Sequence, residues 1–291
     1  MVPFRLDGLG VIRISGDDRT DFLQGQLTQD LHELAVDRTQ LWGWNNPKGR
    51  LLAVGQALDT GTATLLVLPR ELLDSTVQRL QMFVLRAQVE IEATGCQVAG
   101  LLTGREAVTV QGLDLGTAAE ASATDGERCI ARAIGDPARA VLVAPADALA
   151  ADDGTRAITA WELADVRAGL PIIHPATAEA FVPQMVNLDL LGGISFTKGC
   201  YVGQEVVART QNLGRIKRRM FRYASPAPAE PGNDLVDADG ATTGKVVRCA
   251  PAEEGYELLA VVQLAALTGP LFVGDATLAP LALPYTVPET A

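Results

Sequence analysis

A short turn between two apolar runs is the feature that most constrains how this chain folds. Residues 51–58 and 62–68 are rich in leucine and valine, and an Asp-Thr-Gly sequence at 59–61 separates them. Aspartate and glycine supply the dihedral angles of a tight turn, so this pattern predicts a β-hairpin. Residues 70–82 follow at once and place their apolar side chains on one helical face. A hairpin followed by an amphipathic helix predicts the α+β class.

Other segments extend this mixed pattern. Residues 9–14 predict a strand, and the polar residues 15–17 after it are candidate helix N-caps. Residues 88–91 return to an extended pattern, and residues 159–168 predict a helix that the following glycine and proline end. Helical spacing also relates the apolar residues after the first strand, which are Phe22, Leu23, Leu27 and Leu31.

The sequence pattern changes in the last quarter of the chain, where a proline-rich stretch precedes short apolar runs. Residues 225–232 contain three prolines and a glycine, which is typical of a linker or an exposed loop. Short apolar runs such as 245–247 and 258–263 follow, separated by glycine-containing turns. Many short strands with such turns predict a small antiparallel β-barrel.

Composition limits the classes of function. The chain has 291 residues, 48% of them hydrophobic, so we expect more than one domain. The net charge of −11 repels polyanions, and direct nucleic-acid binding is not expected. No apolar run approaches the roughly 20 residues that span a bilayer, and no basic start precedes an apolar segment. We therefore expect a cytoplasmic protein that does not bind a membrane.

The stretch 198–205 carries the strongest chemical signal. Two glycines near Cys200 favour a tight turn that presents the thiol, and Lys198 is close enough in sequence to lower its pKa. A reactive or metal-ligating thiol needs such a setting, whereas an ordinary free cysteine is more often a small buried hydrophobe. The sequence therefore predicts Cys200 as the functional thiol, with Lys198 at its thiolate, in a loop that also contains Gly199, Tyr201, Gly203, Gln204 and Glu205.

The other candidate metal ligands are few. Cys96, Cys129 and Cys249 are scattered and form no C-x-x-C pair, so we expect reduced thiols and no self-contained cluster or zinc site. Cys96 and Cys249 lie in or beside apolar runs, and we expect both in the core. With two histidines in the chain, no metal site is predicted.

A segment at 42–50 combines aromatic rings, amides and cations. This set suits a flat heterocycle with an anionic tail, while the alternative is a hairpin entry with solvated charges. The candidate cofactor-binding residues in it are Trp44, Asn45, Asn46, Lys48 and Arg50.

The stretch 198–205 resembles the signature of the YgfZ-type folate-binding proteins. These are relatives of the glycine-cleavage T-protein, an aminomethyltransferase, and their mitochondrial members assist iron-sulfur cluster maturation. Segments 21–31, 46–52, 168–171 and 183–189 resemble the same family in the same order, so the resemblance spans nearly the whole chain.

The resemblance implies a T-protein-like α+β fold around a central opening. It has two interleaved α+β domains, here 1–48 with 104–165 and 49–103 with 166–210, and a C-terminal antiparallel β-barrel at 211–291. It also implies tetrahydrofolate as the cofactor. The implied partners are iron-sulfur enzymes or cluster-assembly proteins, with a link to tRNA modification.

Two departures from the T-protein pattern bear on activity. T-proteins that transfer the one-carbon unit carry an aspartate in the loop that 46–50 replaces, and this stretch has no acid. Arg167 stands where T-protein relatives tend to have a glutamate that contacts the pterin ring; alternatively it is a solvated cation at a helix C-terminus. We therefore expect an accessory protein rather than a classical enzyme.

Two rival functions stay open at this point. One is a folate-dependent one-carbon transferase or demethylase. The other is a folate-binding module that docks a partner through a basic run, in which Cys200 is dispensable. That run comprises Arg209, Arg215, Lys217, Arg218, Arg219 and Arg222.

Overall fold

A computed structural model describes residues 2–149, 154–212 and 216–288. Its α-helices are α1 (Arg19–Gln24), α2 (Leu73–Gln81), α3 (Thr155–Arg167) and α4 (Gln204–Asn212). Short 3-10 helices cover Leu31–Glu33, Arg70–Leu72, Pro175–Thr177, Pro183–Val186 and Leu264–Ala266.

The strands form three larger sheets and one hairpin. The first sheet has the order β1-β7-β12-β11-β10, from Phe4–Arg5, Gln97–Leu102, Asp136–Ala144, Cys129–Ala133 and Ser122–Thr124. The second has the order β3-β4-β5-β2-β6, from Gln40–Asn45, Leu51–Asp59, Ala63–Pro69, Leu9–Ser15 and Glu90–Ala93. A separate hairpin pairs β8 (Val108–Val110) with β9 (Leu113–Leu115).

The third sheet is antiparallel, barrel-like and seven-stranded, in the order β18-β17-β14-β15-β16-β13-β19. Its strands are Ala276–Thr277, Phe272–Val273, Asp234–Val236, Thr242–Pro251, Tyr256–Gln263, Arg218–Ser225 and Ala279–Leu281. Apolar side chains from its strands, such as Leu235, Val246 and Leu258, form a core of their own. The predicted C-terminal barrel is confirmed in this form.

The second sheet buries both of its faces. On one face Val11 and Val67 pack in a cluster with Val98 and Val141 of the first sheet. On the other face Ile12 and Leu66 join the main cluster, which includes Val77 and Leu80 of α2. The predicted hairpin 51–68 is therefore a central layer, and the predicted helix after it covers one side of that layer.

Three local predictions need correction. The helix predicted through Leu31 ends at Gln24, because the side chain of Gln24 accepts a hydrogen bond from the Leu31 amide at 2.8 Å and starts a separate turn. Asp18, not a residue of 15–17, is the N-cap of α1, and its side chain does not cap the helix. Cys96 and Cys249 are partly buried rather than fully in the core.

The division into three units stays a prediction. One expected boundary, 48/49, falls between β3 and β4, which pair with each other along the second sheet. The two strands are joined by a tight turn, so the sheet is continuous across that boundary.

Among the described residues, no helix is both long enough and apolar enough to cross a bilayer.

Candidate functional site

The loop before α4 presents Cys200 to solvent. Its backbone is tied at both ends to the segment after α1: the Ser195 amide donates to the Thr28 carbonyl at 2.9 Å, and the Val202 amide donates to the Gly25 carbonyl at 3.2 Å. The loop is therefore held from behind while the thiol faces outward, which is the exposure that a reactive thiol requires.

Lys198 lies in the interior of this loop, with 7% of its surface exposed. Its ammonium donates hydrogen bonds to the carbonyl oxygens of Leu27 at 2.8 Å and Gln29 at 2.7 Å, and lies 5.1 Å from the Tyr201 ring centre. Burial lowers the pKa of Lys198 to about 8, against an opposing effect of Asp30. We expected this ammonium to face the Cys200 thiolate, but both of its hydrogen bonds anchor the loop to the chain behind it.

Tyr201 supports the same anchor. Its ring is buried, and this burial raises the pKa of its phenol to about 12. A neutral aromatic face beside an ammonium contributes a modest cation-π attraction. Tyr201 therefore stabilises the position of Lys198 rather than offering a proton.

Gly203 brings the motif loop against the turn at 46–50. Its φ is +78°, and a Cβ there would lie 2.5 Å from the Asn46 carbonyl oxygen and 2.9 Å from the Cα of Gly49. Only glycine permits this backbone contact. Gly199 is different, because a Cβ on it would meet no atom within 4 Å. Gln204 and Glu205 begin α4 directly after the contact.

Some residues of the 44–50 segment shape the local fold, and others lie at the surface. The Asn46 side chain accepts hydrogen bonds from the Lys48 and Arg50 amides at 2.9 and 3.0 Å, which shapes the turn. Arg50 donates to the Ala180 carbonyl at 2.7 Å. Trp44 and Asn45 are buried, and Lys48 is exposed.

A cavity of about 370 Å³ lies beside the motif loop, and we call it the motif-side cavity. It brings four of the predicted cofactor-binding residues together with Val202 of the motif loop. Its lining residues are Trp44, Asn45, Asn46, Pro47, Lys48, Leu52, Arg79, Met82, Phe83, Glu179 and Val202.

A larger cavity of about 660 Å³, which we call the central opening, lies between α3, the second sheet and the barrel. A smaller cavity of about 80 Å³ adjoins it and adds an apolar floor that includes Val54 and Val67. The two cavities share Leu9, Pro69, Trp161, Asp165, Ile172 and Arg248. None of the predicted cofactor-binding residues is among those that line either cavity.

Several charged groups on the wall of the central opening are paired. Asp165 accepts from Arg248 at 3.1 Å and lies 2.8 Å from an Arg139 nitrogen, while the Arg139 guanidinium stacks 4.3 Å from the centre of the Trp161 ring. At the mouth, the His174 ring lies 2.5 Å from a Glu71 carboxylate oxygen. Arg70 also lines the opening and forms no ion pair within the described ranges.

The sequence reasoning missed these residues. Trp161 and Asp165 lie one helical turn apart on α3, and that spacing marks a shared face. This spacing could have indicated that Trp161 and Asp165 share a site. Arg70, His174 and Arg248 come from separate segments of the chain, so no local spacing relates them.

Arg167 lines none of the three cavities. Its guanidinium donates two hydrogen bonds to one Glu257 carboxylate oxygen of the barrel, at 2.8 and 3.1 Å, and this contact raises the pKa of Arg167. The expected basic run is also divided. Arg219 is buried against Asp189 at 2.6 Å, so it is not part of a basic face, and Arg215 lies outside the described residues.

The chain resembles known proteins in sequence and in fold. No protein-family model matches the chain. It is 30% identical over 305 aligned positions to the tRNA-modifying protein YgfZ of Yersinia pestis, covering 98% of this chain and 92% of that protein. The chain belongs to the YgfZ family. The YgfZ protein of Colwellia psychrerythraea is 29% identical over 224 positions, 74% of this chain and 69% of that one.

A solved structure shares the fold. The aminomethyltransferase T of the glycine cleavage system from Bartonella henselae superimposes with a TM-score of 0.73 at 16% identity, over 97% of this chain and 85% of that chain. The predicted T-protein-like α+β fold with its C-terminal barrel is confirmed.

Proposed function

We propose that this YgfZ-family protein binds tetrahydrofolate and acts as an accessory protein in iron-sulfur cluster assembly or repair. The clients would be iron-sulfur enzymes, including those that modify tRNA, and Cys200 would be the working thiol. The observation that carries the proposal is the exposed Cys200 on a loop anchored from behind by the buried Lys198. Relatives named for tRNA modification support the client class.

The central opening fits a folate. Its volume of about 660 Å³ falls within the range of roughly 300–1,000 Å³ that small-molecule sites occupy. The apolar floor suits a flat ring. The Asp165 carboxylate, which is already paired with Arg139 and Arg248, retains lone pairs that can accept from amino and ring N–H groups. Arg70 at the wall suits a carboxylate of the glutamate tail. When bound, a reduced pterin supplies a carrier for one-carbon groups.

Cys200 would act outside this pocket. A thiolate ligates iron, and ligation by cysteine releases its proton. In the described part of the chain, no three histidine, cysteine or acidic side chains come together as a metal site. An iron-sulfur cluster at Cys200 would therefore take its remaining ligands from a client or a carrier protein.

The sequence predicted folate contacts for Trp44, Asn45, Asn46, Lys48, Arg50 and Arg167, whereas we place the folate in the central opening, which none of these residues lines. Calorimetric titration with tetrahydrofolate tests one placement against the other. We expect the wild type, Cys200→Ser and Lys48→Ala to bind alike. Arg70→Ala should weaken binding about tenfold, since a cation that pairs a carboxylate is lost.

The possible outcomes separate the two cavities. Weakening by Lys48→Ala, with Arg70→Ala unchanged, would move the folate to the motif-side cavity. If the wild type does not bind tetrahydrofolate, the proposal of a folate-dependent accessory protein fails.

A further inference from the structure

The motif-side cavity has an apolar rim that the proposed folate site leaves unused. Met82 and Phe83 line it with 67% and 39% of their surface exposed, and Leu85, two residues on, is 87% exposed. Large apolar side chains exposed together mark an interaction site more often than isolated ones do. The rim therefore has more apolar surface than a ligand inside the cavity would cover.

The charges around this rim are mainly positive. Lys48 and Arg79 line the cavity, and Arg86 follows the apolar segment. Lys48 and Arg86 form no ion pair within residues 2–149, 154–212 and 216–288. Arg79 lies 3.6 Å from Glu179, but both side chains are about half exposed, and such a surface pair contributes little. In a chain of net charge −11, this is a local reversal of sign.

The same rim borders the functional loop. Val202, which lines the cavity, is two residues from Cys200, so a chain that lies in the cavity also lies next to the thiol loop. A segment of polypeptide that docks here would place its protein beside Cys200.

We propose that the motif-side cavity and the segment 82–86 form the docking site for an extended acidic segment of a partner protein. An apolar side chain of that segment occupies the cavity and contacts Met82, Phe83 and Leu85. Carboxylates beside it face Lys48, Arg79 and Arg86. The site does not depend on folate binding or on iron-sulfur chemistry.

A peptide fits the rim better than a nucleic acid does. Single-stranded nucleic acid needs several aromatic platforms and an extended positive field. Of the two aromatic rings that line the cavity, Phe83 is 39% exposed, whereas Trp44 is 2% exposed and offers no stacking surface. Met82 is a flexible side chain at the rim, and methionine adapts to varied peptide side chains. The local cations then select acidic over basic segments.

Fluorescence anisotropy with defined peptides tests the site in the full-length protein. The probe is fluorescein-labelled Asp-Glu-Leu-Phe-Glu-Asp, compared with Lys-Lys-Leu-Phe-Lys-Lys and Asp-Glu-Ser-Ser-Glu-Asp. We expect the first to bind at least about tenfold more tightly than either control. Leu85→Ser and Lys48→Glu should each weaken it about fivefold or more.

Matched variants elsewhere on the surface serve as controls. Leu102→Ser removes another apolar side chain that is 58% exposed, and Arg105→Glu reverses another exposed cation. Both should leave binding unchanged. Equal binding of the acidic and basic peptides, or insensitivity to Leu85→Ser, would overturn the proposal. Displacement of the peptide by a twelve-residue oligouridylate would also overturn it in favour of a nucleic-acid site.

Discussion

Arg132 and Lys198 are buried cations whose hydrogen bonds go to neutral oxygens, yet they lie in very different settings. The five N–H groups of Arg132 make six contacts of 2.5 to 2.9 Å with oxygen atoms, those of the Thr103 hydroxyl and of the carbonyls of Gly104, Glu106, Gly116 and Pro137. Lys198 donates two, both to carbonyls behind the motif loop. The guanidinium cannot lose its proton, whereas burial brings the pKa of Lys198 to about 8.

The two cations differ in whether their charge can change near neutral pH. Arg132 satisfies the carbonyls of the 103–116 connection and holds that connection to the first sheet. Lys198 holds the loop that presents Cys200, and its charge state changes within about one pH unit of neutrality. The two anchors therefore differ in their expected response to pH, since the charge of Arg132 is fixed and that of Lys198 is expected to change.

The largest effect should come from Arg132→Met. This change removes the hydrogen bonds that the carbonyls of Gly104, Glu106, Gly116 and Pro137 accept from Arg132, although the Gly104 oxygen keeps one from the Thr103 hydroxyl. Since hydrogen bonds from a charged donor are lost, we expect a loss of about 4 kcal/mol of unfolding free energy. Chemical denaturation measures it, with Arg105→Met on the same connection as an exposed control that should change stability little. A loss below about 1 kcal/mol for Arg132→Met would remove the contrast with Lys198.

A smaller effect should follow Gly203→Ala. The new Cβ would approach the Asn46 carbonyl oxygen to 2.5 Å at a φ of +78°. We expect a loss of about 2–3 kcal/mol from clash and backbone strain. Gly199→Ala in the same loop is the control, since a Cβ there meets nothing within 4 Å, and it should be nearly neutral. Equal losses for the two variants would show that the loop does not pack rigidly on the 46–50 turn.

The pH dependence of Lys198 should be smaller again. Folding lowers its pKa from an ordinary 10.5 to about 8, so between these values the unfolded chain binds more protons than the folded one. The unfolding free energy should therefore rise with pH in this window, by roughly 2 kcal/mol between pH 8 and 10. Denaturation at pH 8, 9 and 10 measures the slope. Lys198→Met should lack this rise, and an identical slope in that variant would assign it to other groups.

Sequence patterns predicted the elements that depend on neighbours in the chain. The hairpin of β4 and β5 and the helices α2 and α3 have periodic apolar residues and clear turn or stop signals, so local rules suffice. The motif 198–205 likewise identified the loop that carries the exposed thiol. The aromatic, amide and cationic residues within 44–50 drew attention to a segment that forms one wall of the cavity beside it.

Local sequence patterns could not predict the orientation of the Lys198 side chain. Its partners, Leu27 and Gln29, are 171 and 169 residues away in the sequence, so local spacing pointed to Cys200 instead. The residues that line the central opening were not predicted for the same reason, since Arg70, Trp161 and Arg248 meet only after three distant segments have packed. The orientation of Arg167 is also set by a residue distant in sequence, because its partner Glu257 lies on the barrel.

Restoration of an oxidatively damaged iron-sulfur enzyme tests the central claim most directly. The assay compares wild type, Cys200→Ser and Cys249→Ser, the last as a partly buried control thiol, with folding and tetrahydrofolate affinity checked for each. The account predicts that Cys200→Ser keeps its stability and folate affinity but loses restoration, while Cys249→Ser keeps all three. Full restoration by Cys200→Ser would contradict the role of the exposed thiol.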